Sequence, residues 1–182
     1  MLALTSLLNP RPAGRIRSII KDLEAKFGLA DVQATPAPHL TYLLANVSPR
    51  QLADLRVALR QVAATTPPFP AYTTGLGVFP GENPVIYVPV LRSIDLNLLH
   101  QRVLDISTPV CRGTDRYNAP ARWLPHLSLA LHDTTPDLLG PVLRHLNQET
   151  YNLRVNINNL AIMQQKGDLF VCEEKFELTG KR

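Results

Sequence analysis

The strongest constraint on the fold of this chain is an internal repeat. The segment PHLTYLLANVSPRQLADLRVAL, residues 38–59, aligns without a gap on PHLSLALHDTTPDLLGPVLRHL, residues 125–146. Both copies keep a Pro-His-Leu start, a hydroxyl-proline pair and three spaced apolar positions. Chance does not preserve so many positions of such different kinds. The repeat therefore predicts two similar structural units in one chain.

Each copy of the repeat has the pattern of a strand, a turn and a helix. Alternate apolar residues predict a strand with one buried face; these are Leu40, Tyr42 and Leu44 in the first copy, and Leu127, Leu129 and Leu131 in the second. The pairs Ser48-Pro49 and Thr135-Pro136 then supply an N-cap hydroxyl followed by proline at the first helical position. Apolar residues at i, i+3 and i+7 follow, as expected for an amphipathic helix.

The rest of the chain extends this pattern to a fold class. We expect strands at 2–8, 39–45, 71–79, 85–90, 123–132, 151–163 and 169–178, and helices at 15–27, 49–63, 94–106 and 136–148. The prediction is an α+β fold of two β-α-β-α-β lobes, related by a pseudo-twofold axis, with antiparallel or mixed sheets and a central cleft. We expect one bilobal domain over residues 1–182, with repeats at about 1–80 and 84–178.

Composition narrows the class of protein. Hydrophobic residues make up 45% of the 182 residues and charged residues 19%, which excludes disorder. No apolar run approaches the roughly 18 residues of a membrane helix, and the net charge of +4 is too low to indicate a partner by itself. Cys111 and Cys172 lack the spacing of a zinc site or disulfide framework. We therefore predict a cytoplasmic, monomeric protein without a membrane partner.

The two predicted motif strands carry residues suited to phosphodiester chemistry. Residues i and i+2 of a strand share a face, so His39 lies beside Thr41, and His126 beside Ser128. If a pseudo-twofold axis relates the lobes, the two pairs face each other across the cleft. In-line displacement at phosphorus needs a base and an acid on opposite sides, with donors for the non-bridging oxygens. Two imidazoles and two hydroxyls meet that need.

These residues carry a resemblance to a known family. The paired HLT and HLS motifs, the GLGVFPGENPVIYVPV segment between them and WLPHLSLAL at the second resemble the 2H phosphoesterase superfamily, in particular its 2'-5' RNA ligase-like and cyclic phosphodiesterase branch. The resemblance runs from about Leu2 to Leu178. It implies a bilobal fold without a cofactor and metal-independent hydrolysis of 2',3'-cyclic phosphates or 2'-5' bonds on RNA ends or small nucleotides.

The resemblance also implies roles for the motif residues. One histidine of the pair, His39 or His126, is the acid and the other is the base, while Thr41 and Ser128 bind the phosphate. Ser128 stands where threonine is commoner, and its hydroxyl keeps the donor. The sequence leaves open which histidine is the acid, which oxygen leaves and whether ligation also occurs. It also leaves open a module that binds RNA or a nucleotide in the same cleft without turnover.

Other residues could contact substrate, and most offer weaker signals. The candidates for phosphate are Arg92, Arg112, Arg116 and Arg122, and those for base stacking are Tyr42, Tyr72, Tyr117 and Trp123. By alternation Tyr42 and Trp123 point away from their neighbouring histidines, so we predict that both are core residues. Tyr72, Arg116 and Tyr117, in or beside loops, remain as possible substrate contacts.

The remaining histidines and other reaction types are disfavoured. His132 stands at the end of a predicted strand, and we expect it to have a structural role in the turn that follows. His100 and His145 have no partner at useful spacing, so we expect these two to be surface residues. The motif strands offer no set of three convergent metal ligands, so we predict no metal site. Thr41 and Ser128 do not lie in the strand-to-helix turn typical of a nucleophilic serine.

Overall fold

The computed structural model describes residues 1–113 and 116–181, and within them the chain forms four α-helices and nine β-strands. The helices are α1 (Pro10–Phe27), α2 (Pro49–Ala64), α3 (Ile94–Ser107) and α4 (Pro136–Leu146). The strands are β1 (Leu2–Leu7), β2 (His39–Ala45), β3 (Phe69–Tyr72), β4 (Gly77–Phe79), β5 (Val85–Pro89), β6 (His126–Ala130), β7 (Arg154–Ile157), β8 (Asn159–Lys166) and β9 (Leu169–Glu177). Two short 3₁₀ helices lie at Asp31–Ala34 and Arg116–Asn118. The predicted α+β class is confirmed.

The strands form three sheets, and every pairing in them is antiparallel. The first sheet has the order β2-β1-β8-β9, the second has the order β4-β5-β6, and β3 pairs with β7. The first sheet therefore contains the His39 strand, and the second contains the His126 strand. Helix α3 packs against β2, and helix α1 packs against β6. No helix among the described residues is long and apolar enough to cross a membrane.

The predicted N-terminal caps of α2 and α4 are present in the structure. Ser48 caps α2 in a capping box: its Oγ accepts from the N–H of Gln51 at 3.4 Å, and the Gln51 side chain accepts from the N–H of Ser48 at 3.3 Å. Thr135 caps α4 through the N–H of Leu138 at 3.4 Å. Proline follows each cap at the first helical position, where a missing N–H costs nothing.

Several element boundaries differ from the prediction. Helix α1 begins at Pro10 instead of residue 15, because prolines 10 and 12 fall within the first turn, where their N–H groups would have no partner. The predicted strand 71–79 is broken near Gly75, whose φ of 58° favours glycine, and its two parts join different sheets as β3 and β4. The predicted strand 151–163 likewise divides into β7 and β8.

A β-bulge occurs at the same place in both repeats. On β2 the register shifts between Leu43 and Thr41, so Tyr42 is the extra residue, and on β6 the shift leaves Leu129 extra. These two positions are aligned in the sequence repeat. After each bulge the alternation reverses, so Leu43 and Ala130 are buried next to the bulge residue, and Leu44, predicted to face the core, is only partly buried.

Candidate active site

The two motif histidines are held in the same way. His39 begins β2, and its Nδ1 lies 2.9 Å from the carbonyl oxygen of Ala37; His126 begins β6, and its Nδ1 lies 2.8 Å from the carbonyl oxygen of Leu124. Because a carbonyl oxygen only accepts, Nδ1 carries the proton in each ring. In the neutral imidazole, Nε2 is then the free acceptor. Each histidine thus keeps one nitrogen for a substrate or a water molecule.

Thr41 and Ser128 lie on the same strand faces as the histidines, two residues further along each strand. All four side chains are partly exposed, while the intervening residues Leu40 and Leu127 are buried. Each motif strand therefore presents an imidazole and a hydroxyl together. We call His39 and Thr41 the first half-site, and His126 and Ser128 the second half-site.

Burial lowers the pKa of both motif histidines, because it disfavours the charged ring. The backbone carbonyl bonds at Ala37 and Leu124 oppose this by favouring the protonated form. The positive charge of His126 lowers the pKa of His39 further. The two motif strands, β2 and β6, contact each other, and neither ring is held permanently in its charged form.

The second half-site has an aromatic wall that the sequence did not predict. The ring centroids of Phe79 and Tyr87 each lie 5.1 Å from that of His126, and the two rings stack on each other at 4.2 Å. Tyr87 pairs with Ser128 across β5 and β6, so both face the same side. The signal in the sequence was the short apolar run VIYVP, which predicts a strand, but only the pairing of that strand with β6 places Tyr87 beside the motif.

Gly77 makes room for this aromatic wall. It pairs with Tyr87 across β4 and β5, and a Cβ at position 77 would lie 2.3 Å from the Tyr87 ring. Any side chain at residue 77 would therefore displace the ring that contacts His126. The glycine is required by the close approach of the ring, and not by its own backbone angles.

The first half-site has small residues where the second has the aromatic wall. Thr5 pairs with Thr41 across β1 and β2, and Ala161 of β8 pairs with Thr5. Thr5 is fully buried, and its Oγ1 has no hydrogen-bond partner among the described residues. The two half-sites thus share their histidine and hydroxyl but differ in the residues beside them.

Comparison with known proteins identifies the family. The family model described as the 2'-5' RNA ligase superfamily matches residues 9–169. The chain belongs to this superfamily. The resemblance to the 2H phosphoesterase superfamily is confirmed, and family membership supports an activity of the phosphodiesterase or RNA-ligase-like type.

Solved structures of this superfamily's fold are similar over the whole chain. TT0787 of Thermus thermophilus has a TM-score of 0.65 at 18% identity, covering 100% of this chain and 99% of its own. E. coli LigT in apo form has a TM-score of 0.64 at 15% identity, covering 98% and 96%. LigT has also been crystallised with 3'-AMP, at a TM-score of 0.61 and 15% identity, covering 98% and 97%. At these identities the likeness shows the fold. No curated protein matches the chain in sequence.

The weaker substrate candidates lie outside the motif strands, although the 3₁₀ helix of Arg116 and Tyr117 packs against β2. Tyr72 is half exposed on β3, in the two-stranded sheet. Arg116 and Tyr117 are exposed in the second 3₁₀ helix, where the Arg116 guanidinium lies 5.0 Å from the Tyr117 ring centroid and donates to its hydroxyl at 3.1 Å. Their part in binding substrate stays a prediction.

The predictions for residues outside the motifs had mixed outcomes. Tyr42 and Trp123 are core residues as predicted, with exposed fractions of 0% and 4%. The prediction for His100 is wrong: it is 1% exposed, and its ring stacks on Trp123 because α3 packs against the motif strand β2. His145 is partly exposed, and the packing of α4 against α1 gives it a partner that the sequence did not indicate, since its Nε2 contacts the Asp22 carboxylate.

The other two predictions concern His132 and metal ligands. His132 adopts a φ of 71° in the turn after β6, consistent with the predicted turn role. Among the described residues no three His, Cys, Asp or Glu side chains come together as a potential metal-binding group.

Proposed function

We propose that this chain is a metal-independent phosphodiesterase that hydrolyses 2',3'-cyclic phosphates or 2'-5' phosphodiester bonds of RNA or nucleotides. The observation that supports this proposal most is the matched tethering of His39 and His126. Each ring is held at Nδ1 by a backbone carbonyl and keeps Nε2 free, and the two strands that carry the rings contact each other. Acid-base catalysis by two imidazoles needs these features.

The proposed reaction is an in-line displacement by water. The neutral histidine takes a proton from the attacking water at Nε2 as the new P–O bond forms. The protonated histidine donates its Nε2 proton to the leaving oxygen as the other P–O bond breaks; this is the 2'- or 3'-oxygen of a cyclic phosphate, or the 2'- or 5'-oxygen of a 2'-5' bond. The hydroxyls of Thr41 and Ser128 donate to the non-bridging oxygens and stabilise their charge. Since both motifs lie in one chain, a monomer is sufficient for this chemistry.

The test is turnover by single alanine variants of the two histidines. The substrates are a panel of 2',3'-cyclic nucleotides and 2'-5' dinucleotides, with a strong chelator present and products resolved by chromatography. We expect His39→Ala and His126→Ala each to lower kcat by roughly 10²–10⁴, because each removes one proton transfer. His145→Ala is the matched control, since this histidine contacts Asp22 on the helix pair α1 and α4. It should keep wild-type turnover.

The same assay separates the proposal from its alternatives. Near wild-type turnover by both motif variants would contradict the assignment of the acid and the base. Loss of wild-type activity in chelator, with recovery on adding one divalent ion, would show a metal-assisted mechanism. Saturable nucleotide binding without any turnover would show a binding module in place of an enzyme.

A further inference from the structure

The indole of Trp123 connects the two half-sites. It lies in the segment that leads into β6, and its Nε1 donates to the carbonyl oxygen of Thr41 on β2 at 3.0 Å. Its ring stacks on His100 of α3 at 3.8 Å between centroids, and on Tyr42 at 5.8 Å. One buried side chain is therefore bonded to the backbone of the first half-site while it belongs to the segment of the second.

The segment that follows Trp123 continues directly into the second half-site. The next residue, Leu124, supplies the carbonyl that holds Nδ1 of His126. Pro125 supplies the carbonyl that accepts from the N–H of Val90 at 2.8 Å, which attaches the segment to the end of β5. A displacement of Trp123 would therefore move the group that orients His126.

Arg92 also contacts Trp123. Its guanidinium carbon lies 5.8 Å from the indole centroid, and its Nη1 lies 3.4 Å from the carbonyl oxygen of Trp123. Its Nε donates to the side chain of Asn97 at 2.7 Å, so the guanidinium is fixed on α3. The indole is thus held between a motif strand, a helix and an arginine.

We infer that Trp123 is a positioning residue that sets the separation of the two half-sites. The inference rests on the proposed function, because in-line displacement requires the base and the acid at fixed places on opposite sides of one phosphorus. A misplacement of about 1 Å can lower the rate of such a reaction by about 100-fold. The hydrogen bond from the indole N–H to the carbonyl oxygen of Thr41 links the segment that carries His126 directly to the backbone of the first half-site.

A purely structural role for Trp123 makes a different prediction. In that case the buried indole contributes packing and one hydrogen bond, and its loss lowers the melting temperature only. A positioning role predicts a loss of kcat in molecules that remain folded. Trp123→Phe separates the two, because it keeps an aromatic ring in the stack and removes the N–H donor.

The kinetic test compares Trp123→Phe with a matched core variant, Val142→Ala. Val142 is fully buried on α4, outside both half-sites, so its truncation lowers stability without changing their separation. At a temperature where both variants are folded, we expect Trp123→Phe to lower kcat about 10- to 100-fold with KM within about 3-fold of wild type. Val142→Ala should keep wild-type kcat. Equal kcat for both variants would overturn the inference.

A second test does not depend on turnover. The pKa of His39, measured by NMR from its ring protons, should rise in His126→Gln, because this change removes the charge that lowers it. That rise reports the closeness of the two imidazoles. In a Trp123→Phe background we expect a smaller rise. An equal rise in both backgrounds would overturn the inference, even if wild-type protein turns over no substrate and the proposed function fails.

Discussion

At the scale of single residues, the environment of each motif histidine decides its chemistry more than the motif does. A histidine beside a hydroxyl on a strand is compatible with many roles. His39 and His126 are suited to act as an acid-base pair because the carbonyl two residues before each of them fixes the Nδ1 proton. Burial then lowers both pKa values, so neither ring is held permanently in the charged form.

The lowered pKa values predict the pH profile of the free enzyme. Since the proposed mechanism requires one neutral and one protonated imidazole, kcat/KM should rise through the lower of the two pKa values and fall through the higher. Both lie below the ordinary value of 6.5. We therefore expect the maximum of kcat/KM below pH 6.5, measured on a cyclic nucleotide in buffers of constant ionic strength. A maximum above pH 8 would contradict this prediction.

Removing a ring of the aromatic wall beside His126 should shift one limb of the pH profile of kcat/KM. Phe79→Ala should expose His126 to water and raise its pKa towards 6.5, because burial is the main cause of the lowering. The matched control is Phe27→Ala, which removes an aromatic ring 5.6 Å from the ring of His145, outside the half-sites. The control should leave both limbs in place. A profile unchanged by Phe79→Ala would show that the wall does not set the pKa of His126.

At the scale of secondary structure, strand pairing creates features that no single segment contains. The aromatic wall arises because β4 and β5 place Gly77 opposite Tyr87, with β6 placing Ser128 on the other side. The bulges at Tyr42 and Leu129 likewise appear only when β2 and β6 are paired with their neighbours. Their equivalent places support the predicted duplication.

Gly77→Ala tests whether the fit between β4 and β5 matters for the site. Its methyl group would lie 2.3 Å from the Tyr87 ring, so the ring must move away from its place beside His126. We expect a stability loss of about 1–3 kcal/mol in urea unfolding, with lower kcat at temperatures where the variant is folded. The double variant Gly77→Ala/Tyr87→Leu should recover part of the stability, because the clash is removed.

The matched control for this prediction is Gly81→Ala. Gly81 lies in the nearby loop between β4 and β5, and a Cβ there would meet nothing within 4 Å. It should match wild type in stability and kcat. If Gly77→Ala behaved like this control, the close approach of Tyr87 to residue 77 would have no functional role.

At the scale of the whole molecule, the two sequence repeats are interleaved. β4, from the first repeat, joins β5 and β6 of the second, while β8, from the second, joins β1 and β2 of the first. β3 and β7, one from each repeat, pair with each other. Each sheet that carries a motif is therefore completed by a strand from the other repeat. This sharing of strands between the repeats supports the predicted single domain.

The core contains His100, and its titration should make the free energy of unfolding depend on pH. Burial is the main cause that lowers the pKa of His100 to about 4, and the positive charge of Arg92 acts in the same direction. The unfolded chain, with a pKa near 6.5, therefore binds more protons than the folded chain between these values. The contribution of neutral His100 to stability is therefore fully present above pH 6.5. We expect the free energy of unfolding to fall by about 3 kcal/mol as the pH drops from 6.5 to 4.

The variant His100→Phe tests this origin of acid sensitivity. It keeps an aromatic ring against Trp123 and cannot be protonated. The fall in the free energy of unfolding between pH 6.5 and 4 should therefore be smaller in this variant than in wild type by about 3 kcal/mol. The measurement is urea unfolding at a series of pH values. Val142→Ala, again the control, should lower stability equally at every pH. An unchanged pH dependence in His100→Phe would place the acid sensitivity in other groups.

The sequence by itself determined the repeat, the α+β class, the presence of four helices, the caps of α2 and α4, and the four motif residues as candidates. These signals are local: a capping hydroxyl, a proline or an alternation of apolar residues acts within a few positions of the chain. The buried positions of Tyr42 and Trp123 also followed from alternation. The break in the predicted strand 71–79 did not, because it depends on which sheet each part joins.

Only the tertiary structure decided what surrounds the motif residues. Phe79, Tyr87 and the bond from Trp123 to Thr41 depend on strand order and register, and neither is encoded in a short stretch of sequence. His100 was predicted to be a surface residue because its own helix gives no partner, yet the packing of α3 against β2 buries it. Contacts between residues distant in the chain are set by the packing of whole elements, and local patterns do not specify that packing.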